Sequence, residues 1–168
     1  MKRDVGVLAL RLVTGGLLAG HGAQKLFGWF GGYGLTATGE FMAQMGFRRG
    51  RVLAVVASST EIVSGLLVAL GLLGPVGPAL MLSVMIVAAV TVHWKNGLFA
   101  TTNGIELPLV YAAIAVVLAF TGPGLFSLDG AFGLERVWSP TLAGVALVIG
   151  AVGGVANLAA RRSAPLSV

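Results

Sequence analysis

Long apolar runs, separated by short polar or glycine-rich stretches, set the pattern of this chain. Five runs approach the roughly 20 residues a helix needs to cross a hydrocarbon core of about 30 Å: Val5–Ala23, Val52–Leu73, Val76–Trp94, Ile105–Thr121 and Thr141–Ala160. Lipid offers no partner to a free backbone N–H or C=O, so each run predicts a helix. Between the first two, Thr38–Phe47 places Phe41, Met42 and Met45 at helical spacing, and Arg48, Arg49 and Arg51 follow. That pattern predicts a short interfacial helix pinned by cations, against the alternative of a plain polar loop. Phe27, Trp29, Phe30 and Tyr33 suit the headgroup level, and Gly74-Pro75-Val76-Gly77-Pro78 reads as a tight turn. The first run is not expected to be a cleaved signal peptide, because Arg11 interrupts it and Gly20-His21-Gly22 is a poor cleavage site.

Composition agrees. The 168 residues are 57% hydrophobic and 10% charged, and the mean hydropathy is +0.94, which excludes a water-soluble globule and a disordered chain alike. The chain has no cysteine, which removes disulfides, thiol nucleophiles and Cys-ligated zinc. No phosphate-binding loop or dinucleotide fingerprint stands in a strand–turn–helix context. The net charge of +5 is accounted for by basic residues at the bilayer surface, so no nucleic-acid partner is expected. With the face bearing the N-terminus called side A, five crossings put Lys25, Arg48, Arg49, Arg51, Lys95, Arg161 and Arg162 on side B, against Lys2, Arg3 and Arg136 on side A. This bias favours side B as cytoplasmic. If the last run does not cross, Arg161 and Arg162 change sides and the bias vanishes. The patterns Gly16–Gly20 and Gly150–Gly154 allow close helix approach and fit a single-chain bundle as well as a homo-oligomer.

An ionisable group inside a span costs about 2.5–3.5 kcal/mol, so each one is a candidate for chemistry. At 1.5 Å per residue, Arg11 lies roughly 9 Å from side A and Glu61 roughly 14 Å from side B, a vertical offset of roughly 7 Å. An Arg11–Glu61 ion pair is the expectation, either as a lock between two helices or as part of a site. His21 and Lys25, four apart, share a helix face. Antiparallel connectivity gathers His21, Lys25, His93, Asn103 and Glu106 at the side B level, above Glu61 and its neighbours Ser58, Ser59, Thr60 and Ser64. The alternative for the shallower groups is that they snorkel to the headgroups. These residues are pocket or proton-relay candidates; no catalytic residue is assigned, and no metal site is predicted because no HxxxH or ExxH spacing occurs.

Arg11, the string Gly20-His21-Gly22-Ala23-Gln24-Lys25-Leu26, Glu61 with Gly65, Asn103-Gly104-Ile105-Glu106-Leu107-Pro108, and Gly122-Pro123-Gly124-Leu125-Phe126-Ser127-Leu128-Asp129 together resemble the DoxX family, over roughly residues 5–130. The resemblance implies a four-helix membrane core associated with quinone-linked oxidoreductases, thiosulfate:quinone oxidoreductase among them, in a prokaryotic cell membrane. The run within 139–160 is then an additional C-terminal transmembrane helix and 161–168 a flexible tail. The expected fold is an all-α polytopic membrane bundle: a DoxX-like four-helix core, a fifth C-terminal span and an interfacial helix in the first loop.

The expected function is a membrane subunit of a redox system that binds a quinone or similar lipophilic molecule in a polar intramembrane pocket. His21 and Lys25 are the hydrogen-bond donors, Glu61 and Glu106 the proton relays, and Trp29, Phe30 and Tyr33 the cover of the ring. The alternative is a non-catalytic anchor for oxidoreductase partners; a proton-coupled small transporter is a third reading. Haem b held by His21 and His93 is weighed and not preferred.

Overall fold

A computed structural model describes residues 1–159 and 161 of the chain. Among these the ordered elements are all helical. Helix α1 runs over Lys2–Phe27 and stops at Gly28, whose φ of 75° supplies the left-handed cap that ends a helix without a Cβ penalty. A short turn leads to α2, Gly34–Gln44, the helix expected in the first loop. It begins and ends earlier than the Thr38–Phe47 pattern, because the chain leaves the helix at Met45-Gly46, where Gly46 takes φ 93°. Next come α3, Gly50–Leu70, and α4, Val76–Ala88. α4 continues as a π-helical turn, Ala89–His93, and a 3-10 turn, Trp94–Asn96. Helix α5 covers Glu106–Thr121, α6 is the short Leu128–Phe132, and α7 is Pro140–Ala159.

Four helical stretches are long and apolar enough to cross a membrane: Lys2–Phe27, Gly50–Leu70, Val76–Asn96 and Pro140–Ala159. The fourth predicted run is helical but, at 16 residues, reaches only about 24 Å. Residues such as Leu12, Leu17, Leu66, Val117, Val148, Ile149 and Val152 stay exposed on the outer faces, as helices in lipid require. The chain is a multi-pass integral membrane protein.

Small residues set the helix spacing. A Cβ on Gly15 would lie 2.5 Å from the Gly65 carbonyl oxygen, and one on Gly22 would lie 2.5 Å from that of Ser58, so α1 and α3 cross backbone against backbone. Here the expectation needs correction by one position: Gly16 and Gly20 face outward, where an added methyl would meet nothing within 4 Å. The second pattern is internal, with Gly150 against the Ala79 carbonyl and Gly154 against that of Ser83. α4 is thereby the central helix, packed on α3, α5 and α7, and Leu18, Val68, Met81, Met85, Tyr111, Ala115 and Leu118 form the buried core around it.

The C-terminal end of α7 fixes the crossing pattern. Arg161 donates from Nε to the Met45 carbonyl (2.9 Å) and lies over the Phe47 ring, 5.7 Å from its centroid. α7 thus ends on side B, beside Arg48, Arg49 and Arg51. Of the tail expected over 161–168, Arg161 is therefore held in place, and 162–168 lie outside the described residues.

Candidate functional site

The buried charges fall into two groups at different depths. On side A, Arg11 is 2% exposed and donates from Nη1 to the Pro123 carbonyl (2.8 Å) and from Nη2 to the Phe126 carbonyl (2.6 Å). The expected Arg11–Glu61 pair is not formed. The α5–α6 loop folds back over the end of α1 and offers its carbonyls closer to the guanidinium than the acid of α3. Gly71 makes room, since a Cβ there would overlap Arg11 Nη1. Beside it, Asp129 is fully buried and accepts from the backbone N–H of Leu73 (2.9 Å) and Gly74 (2.6 Å) and from Trp138 Nε1 (2.9 Å). Asp129 ties the α3–α4 turn to α6 and to the start of α7. It closes the Gly122–Asp129 string, which was the available signal, but its position between runs hid its burial.

Towards side B, Glu61 is 2% exposed, and its partner is Lys25, which donates to Oε1. Lys25 comes from the last turn of α1 and turns inward, where the sequence left snorkelling open. Glu61 Oε2 is buried and has no partner among the described residues. An ionisable oxygen without a hydrogen bond at such depth is costly.

The Lys25–Glu61 pair lines a cleft of about 380 Å³, within the size range of small-molecule sites. α2 contributes Thr38, Phe41 and Met42, and Met45 caps its end; α3 contributes Leu53, Val56, Ala57 and Thr60; α4 and its π turn contribute Val84, Val87, Thr91 and His93; α7 contributes Gly153 and Asn157. α4 is the floor, α3 and α7 are the walls and α2 is the roof. The lining is largely apolar with a few polar groups, and half-exposed Val56 stands in one wall. The π turn is notable because such turns recur at functional sites. The threonine hydroxyls already have partners: Thr60 donates to Val56 O (2.7 Å), Thr91 to Val87 O (2.7 Å) and Thr38 to Gly34 O (2.8 Å).

Of the seven sequence candidates, Lys25, Glu61 and His93 share this cleft, and the other four do not line it. His21 is exposed and pairs with Gln24 Oε1 (3.2 Å). Glu106 is exposed and accepts from Ala100 N (2.7 Å), closing the α4–α5 loop. Asn103 takes φ 61° in that loop, and its carbonyl accepts from His93 Nδ1 (2.8 Å) and Asn96 Nδ2 (3.2 Å). The loop folds on itself through Ile105 N to Gly97 O and Glu106 N to Leu98 O, which keeps Asn103 and Glu106 at the surface. Trp29, Phe30 and Tyr33 are exposed (Tyr33 90%) and do not line the cleft, so they cover no ring there. The cleft's aromatic residues are Phe41 and Phe47. His93 lines it and His21 does not, so the two imidazoles do not face one pocket. Among the described residues no cluster of three His, Asp or Glu side chains is placed to hold a metal ion.

A family model described as DoxX matches residues 6–94, a range that includes Arg11, Lys25, Glu61 and His93 and stops before α5, α6 and α7. No curated protein and no solved structure matches the chain. The match takes in slightly more than half of the sequence and all of the α1–α4 frame around the Lys25–Glu61 pair except the first turn of α1, and on it the chain belongs to the DoxX family.

Proposed function

We propose that this chain is a membrane subunit of a redox system and binds a quinone or similar lipophilic molecule in the cleft headed by Lys25 and Glu61. The observation that carries the reading is that Glu61, whose buried Oε2 has no partner among the described residues, lines a largely apolar cleft of about 380 Å³. A lipophile entering the cleft covers apolar wall and satisfies the free oxygen at once. The relay set contracts from that expected to Lys25, Glu61 and His93. His93 has a carbonyl partner on Nδ1, so Nδ1 carries the proton and Nε2 of the neutral ring is an acceptor. Association with oxidoreductase partners is what membership of the family supports, and the redox centre itself belongs to the partner.

The test is saturable binding of a short-chain quinone to protein stripped of endogenous quinone. Binding that is lost in Gly153→Leu supports the reading. Only non-saturable partition, the same in wild type and variant, overturns it. A second reading, an anchor without a ligand, is favoured by Gly16 and Gly20 of α1, where an added methyl meets nothing within 4 Å among the described residues and a partner helix could approach closely. A stoichiometric partner retained in mild detergent, together with no ligand binding, would establish it.

A further inference from the structure

We propose that the polar end of the ligand is a hydroxyl that donates to Glu61 Oε2, so that the cleft selects a quinol over the corresponding quinone. This rests on the cleft being the lipophile site.

Three buried side-chain atoms have no hydrogen-bond partner among the described residues: Arg11 Nε, Ser58 Oγ and Glu61 Oε2. Only Glu61 belongs to a residue that lines the cleft. Lys25 donates to Oε1, so the pair is an ammonium with a carboxylate, and the second oxygen has lone pairs and no proton to give. The surrounding groups do not reverse this polarity. The hydroxyls of Thr38, Thr60 and Thr91 direct their hydrogens to backbone carbonyls. His93 donates through Nδ1 to Asn103 O, leaving Nε2 to accept. Ser83 and Asn157 line the cleft from α4 and α7, and Lys25 keeps further hydrogens; these are the donors that remain. Those donors serve a quinone carbonyl and a quinol oxygen alike, since a phenolic oxygen also accepts, whereas Glu61 Oε2 can be matched only by a donor. A quinone carbonyl brought against Oε2 would set two acceptors face to face, whereas a phenolic O–H completes the carboxylate with a charge-assisted hydrogen bond. Both forms of the ligand cover the same apolar wall of Phe41, Met42, Val84 and Val87, so the difference between them is confined to that one contact.

The experiment uses the full chain in nanodiscs, stripped of quinone. It is titrated under anaerobic conditions with a decyl-substituted benzoquinone and, separately, with its two-electron-reduced quinol. The expected result is quinol binding at least about tenfold tighter, the lower bound of a hydrogen bond to a charged group. In Glu61→Gln the amide oxygen turns to Lys25 and the amide N–H₂ faces the cleft, so the preference shifts towards the quinone. Quinone binding by wild type as tight as quinol binding, or tighter, overturns this inference and leaves the lipophile site standing. Binding of neither form overturns the site itself and this inference with it. The comparison of the two wild-type titrations decides without the variant, should Glu61→Gln fail to fold.

Discussion

The two buried charge clusters are built from the same materials and left in different states. At side A, both Nη atoms of Arg11 and both oxygens of Asp129 have partners within the protein, and those partners are mainly backbone groups of turns. Towards side B, Glu61 has one oxygen on Lys25 and the other on nothing among the described residues, at the wall of a cleft. A cluster whose two Nη atoms and two carboxylate oxygens are all bonded to turns, with only Arg11 Nε left over, holds the fold in register; one with a buried, unpartnered acceptor on a residue that lines a cleft is arranged for something that comes and goes. Both clusters meet the requirement that charge inside a bilayer be paired, so pairing alone does not separate structure from function. The distinction lies in the acceptor left over.

The largest effect expected from this contrast is on stability at side A. Asp129→Ala leaves the N–H groups of Leu73, Gly74 and Trp138 without their acceptor and leaves Arg11 without its neighbouring anion, a loss of about 3–5 kcal/mol. Unfolding in mixed micelles measures it, and the folded fraction should bind ligand as wild type does. A loss below about 1 kcal/mol would mean that Asp129 does not hold the turns.

Next in size are two glycines one residue apart. Gly15→Leu drives a side chain into the Gly65 and Ala69 backbone and should cost about 1–3 kcal/mol or more. Gly16→Leu meets nothing within 4 Å and should leave the monomer's unfolding unchanged. Equal effects in the same assay would contradict the α1–α3 crossing.

Gly153→Leu reverses the side A pattern. A Cβ there meets only Ser83 Oγ, at 3.7 Å, so stability should move by less than about 1 kcal/mol while the side chain fills the cleft and abolishes ligand binding. Preserved binding would place the ligand elsewhere. The smallest effect is that of His21→Ala, exposed and bonded only to its own helix: within about 0.5 kcal/mol of wild type, with binding unaltered in the same titration.

Much of this architecture was legible in the runs of apolar residues, because lipid forces any such run into a helix. The burial of Glu61 was also legible, since a carboxylate within an apolar run has to turn away from lipid. Partner choice was not. Arg11 was paired with Glu61 on vertical offset alone, and nothing in periodicity announces that the loop carrying Pro123 and Phe126 returns over the end of α1 with its carbonyls free. Likewise the spacing of Phe41, Met42 and Met45 identified a helix with an apolar face but not its position as the roof of a cleft. The short α4–α5 loop looked like a gathering of functional groups. Its polar residues are instead used within the loop, as Glu106 on Ala100 N illustrates. α7 is the element whose contribution was least visible: it supplies Gly153 and Asn157 to the cleft from beyond the matched residues 6–94.

The most direct test of the central claim is site-mapped photolabelling with a short-chain quinone carrying a photoreactive group, read by peptide mass spectrometry in the presence and absence of excess unlabelled quinone. Label on α2, its C-terminal cap and the π turn, at residues such as Met42, Met45 and His93, that disappears on competition is the expected result. Label confined to outward residues such as Leu12, Leu17 and Ile149, and indifferent to competitor, would contradict it.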